Sequence, residues 1–406
     1  MKLRLYTAFF LMVTSSLSFA QPFAEGCDGT RYAFQVFNDV TKTTVKYATT
    51  KPENKDLFID IYQPTNDLVK KRPLILFAHG GGFLFGDKAD MAAFCTFWAQ
   101  RGFVTASIQY RLFSGIPSQS TMYDAATKAV SDMKAAYRFF KSDAANQNSY
   151  LIDTTKMFIG GYSAGAITAL LTGYMDADDP IDPTTLNIIN ANGGFSGNTG
   201  DTENLSHNDK DIFGIFNMSG AVFTKGLLDQ NEPFLMSYHG DIDDTVPIDS
   251  NSVFFGLAYL YGSRTIHKEA DAISLPNTLT VAAGGNHTDI YSDPKYAGTL
   301  GLYVYNSINL FYPRLCGISL STHYANRPAL SIHAYPNPVS DYINIECKEK
   351  VDEIWLCSSK GEIVLRKNIQ SNNSTFNVSN LESGSYIIIP IKGNTAYKPI
   401  SIQVVR

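Results

Sequence analysis

The chain has 406 residues, 44% of them hydrophobic and 17% charged, with a formal net charge of −5. That balance suits a globular protein with enough apolar content for a large core and more than one domain. A mildly acidic chain without a basic stripe argues against nucleic-acid binding and against attraction to an anionic membrane surface.

The first stretch, "MKLRLYTAFFLMVTSSLSFA", has Lys2 and Arg4, an apolar run from Tyr6 to Val13, then small Ser18 and Ala20. This pattern predicts a secretory signal peptide over residues 1–20 and a mature chain from Gln21. No later segment is apolar enough to span a membrane, so no integral membrane segment is expected in the mature chain. Export permits disulfides, and there are five cysteines, an odd number that leaves at least one unpaired within the chain. Cys27 and Cys316 are placed to tie the two ends of a large domain, with Cys95 a buried thiol on a helix. Cys347 and Cys357 are close enough in sequence to pair within one small domain. No Cys/His spacing fits zinc, and no metal or cofactor is expected.

From about residue 43 to 313 short strands alternate with amphipathic helices. "TTVKYAT" and "LFIDIYQP" alternate as half-exposed strands, whereas "RPLILFAHG" and "FVTASIQYRL" are continuous apolar runs, as in strands buried on both faces. Met122, Ala125, Ala126, Ala129, Val130, Met133, Ala136, Tyr137 and Phe140 recur in steps of three and four, forming one helical stripe. "KMFIGG", "FGIFNMSG", "PFLMSYHG" and "TLTVAAGG" supply four more strands. The pattern predicts an α/β fold, a mostly parallel sheet covered by helices on both faces. Residues 176–212, polar and rich in Asp, Asn and Gly, are expected to form a lid-like insertion; a long solvated loop is the competing reading. The boundary falls in "STHYANRPAL". Beyond it lie only strand-like runs such as "DYINIE", "EIWLC" and "GSYIIIPI", which predict a separate all-β sandwich.

Four motifs carry chemistry. Gly161-Tyr162-Ser163-Ala164-Gly165 lies between a buried strand and a helix, where glycines two positions either side of a serine let neighbouring backbone pass a strained turn. "AHGGGFLFGD" follows another buried strand, and its consecutive glycines can aim bare N–H groups at a developing negative oxygen. Gly81 and Gly82 are the expected donors, with Ala164 N–H as a third, and His79 is expected to brace the loop. "SYHGDIDDTVP" offers Asp241, Asp243 and Asp244 as the carboxylate that an imidazole base needs. "LTVAAGGNHTD" places His287 after the next strand, completing the order serine, acid, histidine; His207 and His267 are weaker rivals.

In this order, "LFIDIYQP", "HGGGF", "GYSAG", "HGDIDDTVP" and "GGNH" resemble an α/β-hydrolase of the carboxylesterase and hormone-sensitive-lipase-like type, a layout shared by Bacteroidetes feruloyl and acetyl-xylan esterases. The resemblance implies an α/β-hydrolase fold over residues 21–322 and a serine esterase with a Ser163, His287 and Asp243 triad. Its His-Gly-x-x-Asp-x-x-Val-Pro pattern selects Asp243. The substrate it implies is a small-molecule or polysaccharide-linked ester. A serine peptidase on the same fold and a non-catalytic surface-binding module are the alternatives. "AYPNPVSDYINIE", "KGEIVL" and "NVSNLESGSYIIIPI" resemble the C-terminal sorting domain of the type IX secretion system, over residues 331–406. That resemblance implies an immunoglobulin-like sandwich, a partnership with the type IX machinery, and a secreted or cell-surface destination.

Overall fold

A computed structural model describes residues 25–201, 203–253, 256, 258–317, 330–358, 363–369, 371, 373–392, 395–397 and 400–406. The expected signal peptide and most of the expected connector lie outside the described residues.

The strands in chain order are β1 (Val40–Thr49), β2 (Asp56–Pro64), β3 (Arg72–Ala78), β4 (Val104–Ile108), β5 (Ile152–Tyr162), β6 (Gly214–Met218), β7 (Ala221–Val222), β8 (Phe234–Gly240), β9 (Ser250–Val253), β10 (Ala258–Gly262) and β11 (Asn277–Ala282). Eight of them form one sheet in the order β1-β2-β4-β3-β5-β6-β8-β11. From β4 to β11 every pair is parallel, and β2 runs antiparallel to both its neighbours. β3, β4, β6 and β8 are buried at every position, as strands enclosed between two helical layers must be.

The helices are α1 (Ala92–Ala99), α2 (Gln119–Asn146), α3 (Ala164–Tyr174), α4 (Pro183–Ala191), α5 (Ser263–Ala272), α6 (Asp289–Ser292) and α7 (Ala297–Cys316). The apolar stripes of α2, α3 and α5 pack on one face of the sheet with Ile59, Leu76 and Ile159. α1 and α7 pack on the other around Phe77, Trp98, Phe158 and Phe311. Among the described residues no helix is long and apolar enough to cross a membrane.

Two expectations need correction. The polar stretch 176–212 is not a lid: α4 and the loop after it lie along α2. Ser131 Oγ donates to Asn192 O (3.1 Å), Arg138 to Ser196 O (2.7 Å), and Lys134 to Phe195 O. Buried cationic side chains need acceptors, and the loop's carbonyls supply them, which fixes it against the helix. The second correction concerns the cysteines. Cys27 and Cys316 do form a disulfide, but Cys347 and Cys357 are both free and buried.

The reason lies in strand alternation within the C-terminal sandwich. Its strands are β12 (Ile332–Tyr335), β13 (Tyr342–Cys347), β14 (Glu353–Ser358), β15 (Ile363–Asn368), β16 (Asn373–Asn377), β17 (Gly384–Lys392), β18 (Thr395–Ala396) and β19 (Ile400–Val404). They form a β12-β13-β16 sheet and a β15-β14-β17-β18 sheet with β19 beside β17. Ile354 and Leu356 of β14 join Ile343, Ile345 and Cys347 in the sandwich core. Cys357 faces the other way, and with Ile389 and Ile391 joins the cluster around Trp98 and Phe103. Side chains two apart share a face and adjacent ones do not, so the two thiols occupy different cores.

The disulfide closes a loop of 289 residues with a Cα–Cα distance of 5.6 Å. Its removal by Cys27→Ser with Cys316→Ser should lower the unfolding free energy by about 2–4 kcal/mol. A urea midpoint unchanged from wild type would contradict this.

Candidate active site

β5 ends at Tyr162 and α3 begins at Ala164, so Ser163 alone turns the chain, at φ 54° and ψ −121°. That conformation is strained by about 1–3 kcal/mol for a residue with a side chain. The Ser163 N–H donates to Met218 O (2.8 Å), which helps hold the turn. The flanking glycines are there for space. A Cβ on Gly165 would sit 2.0 Å from Ala78 O, and one on Gly161 would sit 2.3 Å from the Gly165 carbonyl carbon.

His287 follows β11 and Asp243 follows β8, each at the C-terminal end of its strand, as Ser163 is of β5. Ligand crevices of open parallel sheets form at this edge. Ser163 Oγ lies 2.8 Å from His287 Nε2, and His287 Nδ1 lies 2.7 Å from Asp243 Oδ2. A carboxylate only accepts, so Nδ1 carries the proton, Nε2 is the acceptor, and the serine hydroxyl donates to it. Asp243 Oδ1 accepts from the Thr245 and Val246 N–H groups at 3.0 and 2.8 Å. Burial alone would raise the Asp243 pKa, but the N–H groups of His239 and His287 outweigh it and bring it down to about 2.

The rival acids have other work. Asp241 accepts from Gly284 N–H (2.6 Å), and Asp244 N–H donates to Asn286 Oδ1 (3.1 Å), so both tie the acid loop to the histidine loop. His267 lies beneath the sheet edge, and His207 sits in the loop along α2.

Gly81 has φ +108°, and a Cβ there would lie 2.0 Å from Phe85 O. The Gly81 carbonyl accepts from the Leu84 and Phe85 N–H groups, curling the loop back on itself. His79 Nδ1 donates to Gly80 O (2.7 Å) and its ring stacks on Tyr110, whose hydroxyl donates to His79 O (2.9 Å).

Two cavities that share Gly81, Phe85, Tyr162 and Thr288 flank the serine turn. One, of about 310 Å³, has Gly81, Gly82, Ser163, Ala164 and His287 at one end and Met122, Ile167, Phe223, Val246, Ala258 and Leu260 as its walls. The other, of about 410 Å³, is open and more polar, bounded by Gly80, Gly86, Asp90, Tyr162, Thr288, Tyr291 and Ser292. Among the described residues, none of 176–212 lines either. Ala258 and Leu260 come instead from the small β7-β10-β9 sheet, and Phe223 directly follows β7. The sequence does not single out that hairpin, although "SVFFGLAYLYG" carries a signal: an apolar run with a central glycine between the acid loop and α5. Asn286 is also new. Its Oδ1 accepts the His287 N–H (2.7 Å), while Tyr162 OH donates to His287 O (3.1 Å).

The mostly parallel sheet, with Ser163, Asp243 and His287 brought together at its strand ends, is an α/β-hydrolase-like arrangement. Residues 59–222 match the BD-FAE family model, and residues 333–403 match that of the secretion system C-terminal sorting domain. Neither match spans half of the chain. No curated protein matches it. Among solved structures, the propionate-bound thermophilic esterase Est2 of the Planctomycetes species Thermogutta terrifontis is 18% identical. It covers 68% of this chain and 96% of its own, with a TM-score of 0.48. The native form is 20% identical, covering 66% and 91%, with a TM-score of 0.46.

A depressed carboxylate pKa stabilises the fold above its unfolded value, about pH 4, and that stability is lost as pH falls toward the folded value. Asp243→Asn should therefore flatten the stability curve between about pH 4 and pH 2. Urea midpoints at several acidic pH values measure this, and a slope equal to wild type would count against it.

Proposed function

We propose that this protein is an exported serine carboxylic-ester hydrolase in which Ser163, His287 and Asp243 act as nucleophile, base and orienting acid through an acyl-enzyme. The observation that carries the reading is the continuous Ser163 Oγ, His287 Nε2, His287 Nδ1, Asp243 Oδ2 line at 2.8 and 2.7 Å, starting from a strained, pocket-facing serine.

As Ser163 Oγ attacks the ester carbonyl carbon, its proton passes to His287 Nε2. The carbonyl oxygen gains charge and is held by the N–H groups of Gly81, Gly82 and Ala164, each worth about 2.7–4 kcal/mol where such donors have been removed. The C–O bond to the alcohol then breaks, and His287 returns the proton to the leaving oxygen. Water gives a proton to His287, attacks the acyl carbon and releases the acid, and the proton returns to Ser163. Asp243 stays ionised throughout and stabilises the imidazolium.

The two cavities suggest how an ester lies. The alcohol has to leave and water enter while the acyl group is still attached, so the open cleft with Asp90 and Ser292 suits the alcohol. The apolar chamber suits the acyl group, because it offers few partners for a buried hydroxyl, and an unpaired one costs about 1–3 kcal/mol.

Ser163→Ala should lower turnover of a short p-nitrophenyl ester by at least about 1000-fold and abolish labelling by a fluorophosphonate. Retained turnover with an intact fold would sink the assignment. Across acetate, butyrate and hexanoate esters, kcat/KM should rise by about fourfold per methylene buried in the chamber. A profile that falls from acetate onward would contradict the acyl placement.

A further inference from the structure

A line of buried polar side chains runs beneath the acid loop. His239 on β8 is fully buried, with Nε2 2.8 Å from Val246 O and 3.4 Å from Asp243 Oδ2. Its Nδ1 lies 2.7 Å from Ser263 Oγ. Asn217 on β6 donates to Ser263 Oγ (2.9 Å) and Ser237 Oγ (2.8 Å), and its Oδ1 accepts the Gly220 N–H (3.0 Å). Ser237 Oγ lies 2.7 Å from His267 Nε2, and His267 Nδ1 lies 2.6 Å from Asn277 Oδ1. Asn277 Nδ2 ends the line by donating to Asp271 (2.8 Å) and Leu275 O (2.9 Å).

With both imidazoles neutral, donor and acceptor rules place the protons along it. Asn277 uses its amide hydrogens on Asp271 and Leu275, so its oxygen accepts and His267 is protonated at Nδ1. His267 Nε2 must then accept from Ser237, which accepts in turn from Asn217. Ser263 likewise accepts from Asn217 and donates to His239 Nδ1. That leaves the His239 proton on Nε2, the edge facing Val246 O and Asp243. Each neutral imidazole then finds one acceptor for its N–H and one donor for its bare nitrogen. Burial acts in the same direction on His267, lowering its pKa to about 4.

We propose that His239, fixed as its Nε2–H tautomer by Ser263 and Asn217, is a positioning residue for the catalytic acid. The inference rests on the triad reading above. His239 grips the Val246 carbonyl, while the N–H of the same residue grips Asp243 Oδ1. The brace thus fixes both the loop that wraps the carboxylate and the field at Oδ2, the oxygen that takes His287 Nδ1–H. Asp243 faces His239 directly, His287 lies beyond it, and His267 and Asp271 stand at the outer end of the line. A sheet face under a helix ordinarily holds aliphatic side chains, so a fully paired Asn, Ser and His set calls for a reason beyond packing.

The test compares His239→Phe, which removes the N–H, with His239→Gln, whose amide can replace it toward Val246 O. His239→Phe should lower kcat by about 10- to 100-fold with KM within about twofold, as for other partners that orient a reacting group. It should also move the acid limb of the kcat/KM profile to higher pH, because a carboxylate without that donor holds the proton on His287 more tightly. His239→Gln should recover most of kcat. Ser263→Ala should shift kcat and the acid limb in the same sense by a smaller amount, and it carries the test alone if His239→Phe does not fold. A folded His239→Phe with wild-type kcat and pH profile, or equal losses in the Phe and Gln variants, would overturn the proposal. Ser163→Ala in the same assay keeps the two questions apart: residual turnover there defeats the triad reading itself.

Discussion

The catalytic edge depends on one close approach, that of the Gly165 backbone to the carbonyl of Ala78. With 2.0 Å available where a Cβ would stand, α3 can start directly above the end of β3. That start places Ala164 beside Gly81 and Gly82 and leaves Ser163 to absorb the whole change of direction. Strain of that kind persists only where surrounding structure over-determines it. Here the determinants are the Ser163 N–H bond to Met218 and the packing of Ala166, Ala169 and Leu170 against the sheet.

The second constraint is electrostatic. Asp243 is a buried carboxylate, and such a charge is tolerable only when each oxygen has donors. Two backbone N–H groups on one oxygen, with the His287 and His239 N–H edges near the other, supply them. The donors that make the charge tolerable also fix its direction. The backbone of the histidine it orients is held by Asn286 and Tyr162, so the strand-end loops position one another.

Much of this was legible in the sequence because it is locally encoded. A buried strand followed by Gly-x-Ser-x-Gly, or by three glycines, signals its own backbone, and the parallel sheet follows from continuous apolar runs separated by helical stripes. Features that depend on contacts distant in sequence were not legible. The hairpin β9 and β10 walls the chamber, yet its apolar residues look like any short strand until β7 pairs with them. The polarity of residues 176–212 suggested solvent and a lid, whereas their carbonyls serve buried cations on α2. Cys347 and Cys357 are ten positions apart, but strand alternation sends them into different cores. The line through Asn217 joins two strands, a helix and a strand start, and no window of sequence contains it.

The two halves of the chain divide their work by position. The parallel strands end at Ser163, Asp243 and His287, and three side chains of the C-terminal sandwich join the apolar cluster on the face of the sheet covered by α1 and α7. Phe103 precedes β4, Phe234 opens β8 and Cys316 closes α7, all in the cluster that Cys357, Ile389 and Ile391 enter. Among the described residues, none beyond 292 lines either cavity beside the serine turn. Because the disulfide joins Cys27 to the last residue of α7, the enzyme half is closed covalently before the connector begins. The covalent closure of that half therefore lies on its own side of the junction.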